Sequence, residues 1–304
     1  TAQVMSETIV PDSEHRGIVA RLPQLPRDLA LLARFDRPIG WWLLFWPCVW
    51  AVWLAGAGWQ LSLLGWLLLG SIAMRGAGCV YNDIVDADLD RQVARTALRP
   101  VASGRVSKKA AWVWLVSLCL VGLVVLLQLR WQALLVALGS LALVAAYPFM
   151  KRITWWPQAW LGMVFTWGAL VGWTELRWDN WEVLACLYAG AICWVIGYDT
   201  IYALQDREDD AMVGIRSSAL AMGARVKAGV GGFYALSIKL WALGFWLYRE
   251  DWVACLALLP VAGHLAWQVM SLDANDPMNP LVRFRSNRWA GALMAAACFV
   301  VGNA

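Results

Sequence analysis

Long apolar stretches, separated by short polar connections, make up most of this chain. A helix that crosses a bilayer needs about 20 predominantly apolar residues, and nine stretches come close to that length. The pattern therefore predicts an all-α integral membrane protein. Its nine transmembrane helices are expected at about residues 38–58, 62–82, 110–129, 131–149, 155–174, 181–203, 227–248, 252–272 and 287–303.

The connections between these stretches alternate in length and charge. Those at residues 83–109 and 205–227 are long and charged, whereas those at 55–60 and 175–180 are short. Lys and Arg accumulate in cytoplasmic connections. With the N-terminus placed in the cytoplasm, 20 Lys and Arg residues fall on the cytoplasmic side and three fall outside. We therefore expect both long charged loops on one side, where they can share a site.

Composition adds two expectations about partners and location. The chain is 61% hydrophobic and 15% charged, whereas soluble domains carry about 25% charged residues, and its net charge of +4 gives no reason to expect nucleic acid. Residues 1–37 form a polar leader with an amphipathic approach to the predicted transmembrane domain, residues 38–304. Glu7, Asp12 and Glu14 in this leader are unlike an acid-poor transit peptide. We therefore expect a bacterial inner membrane rather than a mitochondrial one.

Two groups of polar residues stand where predicted helices end on the cytoplasmic side. Residues four apart lie along one helical face. If the second predicted helix continues beyond its apolar stretch, one face carries Asn82, Asp86 and Asp90. The sixth predicted helix ends with a second set at spacings of three and four, which is Asp199, Tyr202 and Asp206.

Several carboxylates gathered at a membrane surface need a cation. A carboxylate at the centre of a span costs about 2.5–3.5 kcal/mol even on the mild insertion scale, and like charges add to the cost near its end. Oxygen ligands of this kind suit Mg²⁺, which also takes substrate phosphate oxygens and keeps some waters. Two sets therefore predict two Mg²⁺ ions on one diphosphate. The alternative is that both sets of polar residues belong to ordinary solvated loops that bind no metal.

Basic residues follow the acidic ones on the same predicted side. Arg95 and Arg99 come directly after the first acidic group, and Tyr147 and Lys151 close the fourth predicted helix. Cations stabilise the charge that builds on a diphosphate as its C–O bond breaks. These residues are candidates for that role, although the orientation of the membrane spans would by itself place basic residues there.

These motifs resemble those of the UbiA superfamily of membrane prenyltransferases. Asn82, Asp83, Asp86 and Asp90 fit the family's NDxxDxxxD pattern. The second acidic set fits its DxxYxxxD-like pattern, and the segment from Tyr147 to Lys151 fits its YxxxK pattern. The strings RFDRPIG, YDTIYALQDREDD and GIRSSA are similar to those of members that act on 4-hydroxybenzoate.

The resemblance implies both an architecture and a reaction. The architecture is nine transmembrane helices around a central cavity, with two cytoplasmic loops as a cap and a lateral opening to membrane lipid. The reaction is transfer of a polyprenyl group from polyprenyl diphosphate to 4-hydroxybenzoate, at the ring carbon ortho to the hydroxyl, as a step of ubiquinone biosynthesis.

The resemblance also implies roles for individual residues. Those of the catalytic machinery are Asp83, Arg95, Tyr147 and Lys151. Those that hold the two Mg²⁺ ions are Asn82, Asp86, Asp90, Asp199 and Asp206.

Substrate recognition adds five residues. Arg recognises carboxylates through paired hydrogen bonds, so Arg34, Arg37 and Arg75 are alternative anchors for the acid group of the acceptor. Arg75 stands out because a charge inside a span points to function. Arg99 and Tyr202 complete the predicted substrate-binding set.

Three other functions compete with this prediction. The same fold could prenylate another aromatic or lipid acceptor. A CDP-alcohol phosphotransferase also uses membrane aspartates, but its DGxxAR motif does not occur in the chain. A cation transporter could use the acidic pairs, although transporter sites tend to lie at the midplane of the bilayer.

Overall fold

The computed structural model describes residues 18–92, 96–207, 212, 214, 216–276 and 278–303. Throughout those residues the secondary structure is helical. The α-helices are α1 Gln24–Leu32, α2 Ile39–Leu54, α3 Leu61–Val85, α4 Ala87–Asp90, α5 Lys108–Leu126, α6 Trp131–Ile153, α7 Pro157–Thr166, α8 Gly168–Leu176, α9 Trp181–Ala203, α10 Ser218–Met222, α11 Val226–Arg249, α12 Leu259–Met270 and α13 Asn279–Asn303. Short 3₁₀ helices span Val19–Arg21, Leu204–Asp206, Gly223–Arg225 and Trp252–Leu258.

The helices group into two units. The first contains residues 18–41 and 66–128, and the second contains residues 42–65 and 129–303. The first acidic motif therefore belongs to the first unit, and the second acidic motif belongs to the second unit. Each unit has a buried core of its own.

The core of the first unit joins α1, α3 and α5. Leu32, Val80 and Leu118 are buried together there. The indole nitrogen of Trp114 in α5 donates a hydrogen bond to the Leu29 carbonyl oxygen at 3.0 Å. A Cβ atom at Gly76 would come within about 3.3 Å of neighbouring side chains, so glycine is what allows α3 to approach so closely.

Helix α9 is the buried centre of the second unit. Trp194 lies at its middle, with its ring centroid 5.1 Å from that of Trp50, and Trp50 in turn lies 5.3 Å from Trp241 of α11. Gly197 sits directly beneath the ring of Tyr234, where any side chain would collide with it. These contacts hold the last two turns of α9 in the core of the unit.

The prediction of an all-helical membrane protein is confirmed. In the part of the chain that the structure describes, six helical segments are long and apolar enough to cross a membrane. Three of the nine predicted spans fall short, which are the first, the fifth and the ninth. Helix α2 has 16 residues, and α13 carries three arginines in its first half. The count of nine transmembrane helices stays a prediction, as do the capping loops and the division at residue 37.

The predicted fifth span is two helices rather than one. Helix α7 ends at Thr166 and α8 begins at Gly168. The Thr166 hydroxyl donates to the Gly162 carbonyl oxygen at 2.7 Å. A threonine that bonds back in this way competes with the helix ladder and bends it. Hydropathy alone does not show such a break.

Candidate active site

Three buried carboxylates lie where α3 gives way to the short helix α4. The side chains of Asp83, Asp86 and Asp90 are almost fully buried. Helix α3 ends at Val85, but hydrogen bonds from the Asp86 amide to Asn82 and from the Asp90 amide to Asp86 carry the four-residue spacing across the break. The backbone therefore keeps the helical spacing that the predicted alignment of Asn82, Asp86 and Asp90 along one face requires.

Arg99 bridges two of these carboxylates. Its Nη1 donates to Asp83 Oδ1 at 3.2 Å and to Asp90 Oδ2 at 2.8 Å. Three residues before Arg99, the Thr96 hydroxyl donates to the Asp90 carbonyl oxygen at 2.9 Å. Removing one partner of a buried ion pair leaves an uncompensated charge, at a cost of about 3–5 kcal/mol. Arg99 is therefore a counter-ion of the acidic cluster.

Arg34 approaches the same cluster from the end of α1. Hydrogen bonds from the Phe35 amide to Ala30 and from the Arg34 amide to Leu31 end this helix. They place Arg34 at the left-handed position, with φ 59°, where glycine is usual. Its guanidinium donates to the Leu31 carbonyl oxygen at 3.0 Å and to Asp83 Oδ1 at 2.9 Å. A strained arginine that bonds a buried carboxylate points to a functional role.

The described part of the cluster contains three buried carboxylates and two guanidinium groups. Asp83 Oδ2 is buried and has no hydrogen-bond partner among the described residues. Burial raises the pKa of Asp90 above its usual value, and Arg99 only partly opposes that effect. An all-oxygen cluster with a spare carboxylate oxygen suits a hard divalent cation. No three His, Cys, Asp or Glu side chains within the described ranges are grouped closely enough to hold a metal ion by themselves.

Arg37 and Arg75 belong to the same unit as this cluster. The Nε atom of Arg37 donates to Asp36 at 3.0 Å. Arg75 contacts Cys79 through Nη1 at 2.7 Å, and its guanidinium occupies the space that a side chain at Gly40 would need. Both arginines are thus held close to the predicted entrance of the first span.

The second acidic motif closes α9 in the other unit. Asp199 and Tyr202 lie on this helix and are half-buried. The Tyr202 ring centroid lies 4.7 Å from that of Phe284 in α13, and Tyr198 lies 5.8 Å from the same ring. An aromatic surface therefore stands beside Asp199.

A buried polar contact fixes α9 next to Asp199. The hydroxyls of Thr200 and Ser218 lie 2.6 Å apart, and the Ser218 amide donates to Gln158 Oε1 at 3.0 Å. Ser217 begins α10, since its hydroxyl accepts from the Leu220 amide at 3.3 Å. The serine pair of the GIRSSA segment thus ties α10 and α7 to the second motif.

Four predicted residues remain to be placed. Arg95 lies outside the described residues. Lys151 and Asp206 have described backbones in α6 and in the 3₁₀ helix after α9, but their side chains lie outside the description. Tyr147 lies in α6 and is half-buried. The structure therefore gathers Asp83, Asp86, Asp90, Arg34 and Arg99 in one unit, and Asp199 and Tyr202 in the other.

Sequence reasoning missed the buried polar residues that support the second motif. Gln158 is almost fully buried, and Gln268 and Asn287 are completely buried. Each stands in or beside an apolar stretch, where a polar side chain is expensive and usually functional. That cost was the available signal, and Asn287 lay at the very start of a predicted span.

The sequence profile of the UbiA prenyltransferase family matches residues 44–300. The chain belongs to the UbiA prenyltransferase family. The prediction drawn from the acidic motifs is thereby confirmed, and the protein is a membrane prenyltransferase of this family. The two alternative functions, CDP-alcohol phosphotransferase and cation transporter, are not favoured.

Curated relatives and solved structures agree with membership in the UbiA family. The chain is 41% identical over 294 residues to the mitochondrial 4-hydroxybenzoate polyprenyltransferase of Drosophila melanogaster, with 95% of this chain and 75% of the relative covered. It is also 41% identical to that of Arabidopsis thaliana, with coverage of 90% and 68%. A UbiA homologue from Aeropyrum pernix K1 matches at 25% identity and TM-score 0.65, with coverage of 86% and 95%. A homologue from Archaeoglobus fulgidus bound to GPP and Mg²⁺ matches at 18% identity and TM-score 0.67, with coverage of 91% and 100%.

The expectation of a bacterial inner membrane is wrong. Relatives from Drosophila melanogaster, Arabidopsis thaliana and Homo sapiens are all named as mitochondrial enzymes, which points to a mitochondrial rather than a bacterial membrane for this UbiA-family protein. The wrong prediction rested on the acidic residues of the leader. The charge of a leader does not identify the membrane, and apolar spans do not distinguish a bacterial bilayer from a mitochondrial one.

Proposed function

We propose that this protein transfers a polyprenyl group from polyprenyl diphosphate to 4-hydroxybenzoate, at the ring carbon ortho to the hydroxyl, in ubiquinone biosynthesis. The observation that carries the proposal is identity of about 40% across nearly the whole chain to relatives named for this acceptor. The Archaeoglobus fulgidus homologues bound to GPP or DMAPP with Mg²⁺ support a prenyl diphosphate donor.

The metal site we propose has two parts. Asn82, Asp86 and Asp90 would hold one Mg²⁺ ion, and Asp199 and Asp206 would hold a second. The all-oxygen donor sets support this assignment, and the buried Asp83 Oδ2 in the same cluster has no hydrogen-bond partner among the described residues. Mg²⁺ takes few protein ligands when substrate phosphates and waters supply the rest, so the lack of a preformed metal cluster among the described side chains is compatible with it. Bound metal supplies charge neutralisation of the diphosphate.

The chain's own residues then guide the reaction. In our proposal Arg95, Arg99 and Lys151 neutralise the leaving diphosphate as the allylic C–O bond breaks and its electron pair moves to oxygen. The ring carbon ortho to the hydroxyl forms the new C–C bond and afterwards loses its proton. Tyr147 and Tyr202 are proposed to orient the acceptor or shield the allylic cation, since Tyr202 already belongs to an aromatic surface.

The acceptor's carboxylate needs a basic anchor. Arg34 already bonds Asp83 and two carbonyl oxygens, so we assign it to positioning of the cluster together with Asp83. Arg37 and Arg75 then remain the candidates for the anchor. Conversion of each to Gln separates them, because the true anchor raises the KM for 4-hydroxybenzoate and leaves the KM for the diphosphate unchanged.

The experiment that tests the proposal is a direct assay on purified protein in detergent. It contains Mg²⁺, a polyprenyl diphosphate and radiolabelled 4-hydroxybenzoate, with parallel reactions on a naphthoate and on homogentisate. We expect labelled, organic-extractable product with 4-hydroxybenzoate, and none after EDTA. Product from another acceptor alone would move the protein to a different branch of its family. An intact diphosphate with every acceptor would overturn prenyl transfer itself.

A further inference from the structure

A set of buried polar side chains joined by hydrogen bonds lies within the second unit. It joins Trp194 of α9, Tyr234 of α11, Gln268 of α12 and Asn287 of α13. Gln268 and Asn287 have no exposed surface, and Trp194 has none either. Polar groups so deep in a membrane protein are expensive unless they are fully hydrogen-bonded.

Asn287 is the centre of this set. Its Oδ1 accepts the indole N–H of Trp194 at 2.9 Å. Its amide nitrogen donates to Gln268 Oε1 at 3.3 Å and to the carbonyl oxygens of Arg283 and Phe284, each at 3.2 Å. Gln268 Oε1 also accepts the Tyr234 hydroxyl at 2.8 Å. One amide thus ties α9, α12 and α13 directly, and α11 through Gln268.

These bonds lead to the site through rings. Trp194 packs edge-on against Tyr198, with centroids 4.9 Å apart, and Tyr198 immediately precedes Asp199. On α13, Phe284 lies one turn before Asn287 and contacts both Tyr198 and Tyr202. The Asn287 amide therefore acts on both sides of the aromatic surface beside Asp199. It acts on Tyr198 through Trp194, and it bonds the carbonyl oxygen of Phe284 directly.

We propose that Asn287 is a positioning residue for the second acidic motif. Through Trp194 and Phe284 it fixes the rotation and depth of the last two turns of α9, so that Asp199 and Tyr202 meet the Mg²⁺-bound diphosphate in one orientation. Asn287 touches no reacting atom in this account. The inference rests on the proposed role of Asp199 in holding the metal–diphosphate complex.

The test compares Asn287→Ala and Trp194→Phe with the control Ser237→Ala. Trp194→Phe removes the donor and keeps an aromatic ring. Ser237 of α11 is also fully buried, and its hydroxyl donates to the Gly190 carbonyl oxygen of α9 at 2.6 Å. Gly190 lies more than two helical turns before Asp199. Each variant loses a buried hydrogen bond, but only the first two lose the connection to the motif.

Two readouts separate positioning from mere stability. The first is the Mg²⁺ concentration that gives half-maximal thermal stabilisation by geranyl S-thiolodiphosphate, an unreactive donor analogue, and the second is kcat and KM for each substrate. Small displacements of binding groups can cost about 10- to 100-fold in rate. We expect both test variants to need several-fold more Mg²⁺ for the analogue and to lose kcat over that range, while Ser237→Ala keeps wild-type values.

The possible outcomes remain distinguishable. If Asn287→Ala and Trp194→Phe unfold at lower temperature but keep the wild-type Mg²⁺ requirement, Asn287 is only structural and the inference fails. If Asn287→Ala does not fold, Trp194→Phe decides alone. If wild-type protein binds the analogue with Mg²⁺ but does not prenylate 4-hydroxybenzoate, the acceptor assignment fails and the binding readout still tests Asn287.

Discussion

At the scale of single residues, carboxylates of the acidic cluster form ion pairs with arginines of the same unit. Asp83 receives both Arg34 and Arg99, and Asp90 receives Arg99 as well. Among the described residues, these ion pairs join two guanidinium groups to the cluster. A divalent cation is the further partner that we propose for its carboxylate oxygens.

Loss of Arg99 therefore destabilises the protein in a way that Mg²⁺ corrects. Arg99→Ala leaves Asp83 and Asp90 short of a counter-ion, so we expect a loss of about 3–5 kcal/mol in the free energy of unfolding. Mg²⁺ should recover part of it. In the control Lys108→Ala, the lost pair with Asp88 is mostly exposed, and a change of about 0–1 kcal/mol is expected. Denaturant unfolding in detergent with and without Mg²⁺ measures both. Equal effects of the two variants would contradict this reading.

Because Arg34 has a left-handed backbone, two substitutions of it can distinguish the effect of backbone strain from the effect of the lost charge. Arg34→Gly and Arg34→Ala both lose the bond to Asp83, but glycine adopts φ 59° freely whereas alanine does not. We expect both variants to lose most activity, and Arg34→Ala to be less stable than Arg34→Gly by about 1 kcal/mol. Thermal unfolding and the prenylation assay measure the two effects. Full activity in Arg34→Gly would show that the guanidinium only caps α1.

An exposed pair in the connection from α8 to α9 gives a pH dependence. Arg177 donates to both oxygens of Asp179 at 2.9 Å, which holds the pKa of Asp179 below its usual value of 3.8. The pair therefore adds stability above pH 3.8, and that stability is lost as pH falls through the lower folded-state pKa. Asp179→Asn should unfold at a slightly lower temperature at neutral pH and match the wild type in strong acid. A difference that does not vary with pH would refute the assignment.

At the scale of helices, the site depends on how closely α9 can approach its neighbours. Apolar stretches predicted the approximate position of α9, which begins at Trp181 and ends at Ala203 as expected. They could not show which of its glycines face a ring, because that depends on the partner helix. They also could not show the break at Trp167, where a single threonine hydroxyl competes with the backbone.

Gly197 tests the close approach directly. A methyl group there would enter the ring of Tyr234, whereas a methyl group at Gly232 of α11 would meet no atom within 4 Å. Overpacking costs about 1–3 kcal/mol, so we expect Gly197→Ala to lower the unfolding temperature and the activity, because Tyr198 and Asp199 must shift. Gly232→Ala should be neutral or stabilising by up to about 1 kcal/mol. Similar behaviour of the two variants would contradict the packing we describe.

At the scale of the whole molecule, the sequence was sufficient to predict the fold class and the family. It was not sufficient for features that depend on contacts between distant residues. NDxxDxxxD is a long motif, so Asn82 to Asp90 were sufficient to recognise the family. The pairing of Arg34 with Asp83 could not be predicted, because 49 residues separate them. Asn287 was overlooked because hydropathy treats a buried asparagine only as a weak point in a span. The membrane was misassigned because leader charge does not identify a bilayer.

We propose that the two acidic motifs, one in each unit, serve the same prenyl-transfer reaction. The most direct measurement is a double-mutant cycle of Asp86→Asn and Asp199→Asn, with prenylation of 4-hydroxybenzoate measured across a Mg²⁺ titration. Groups that act as a unit give strongly non-additive losses. We predict that each single variant nearly abolishes product and that the double variant is hardly worse than either. Independent, additive losses, or substantial activity in either single variant, would contradict the account.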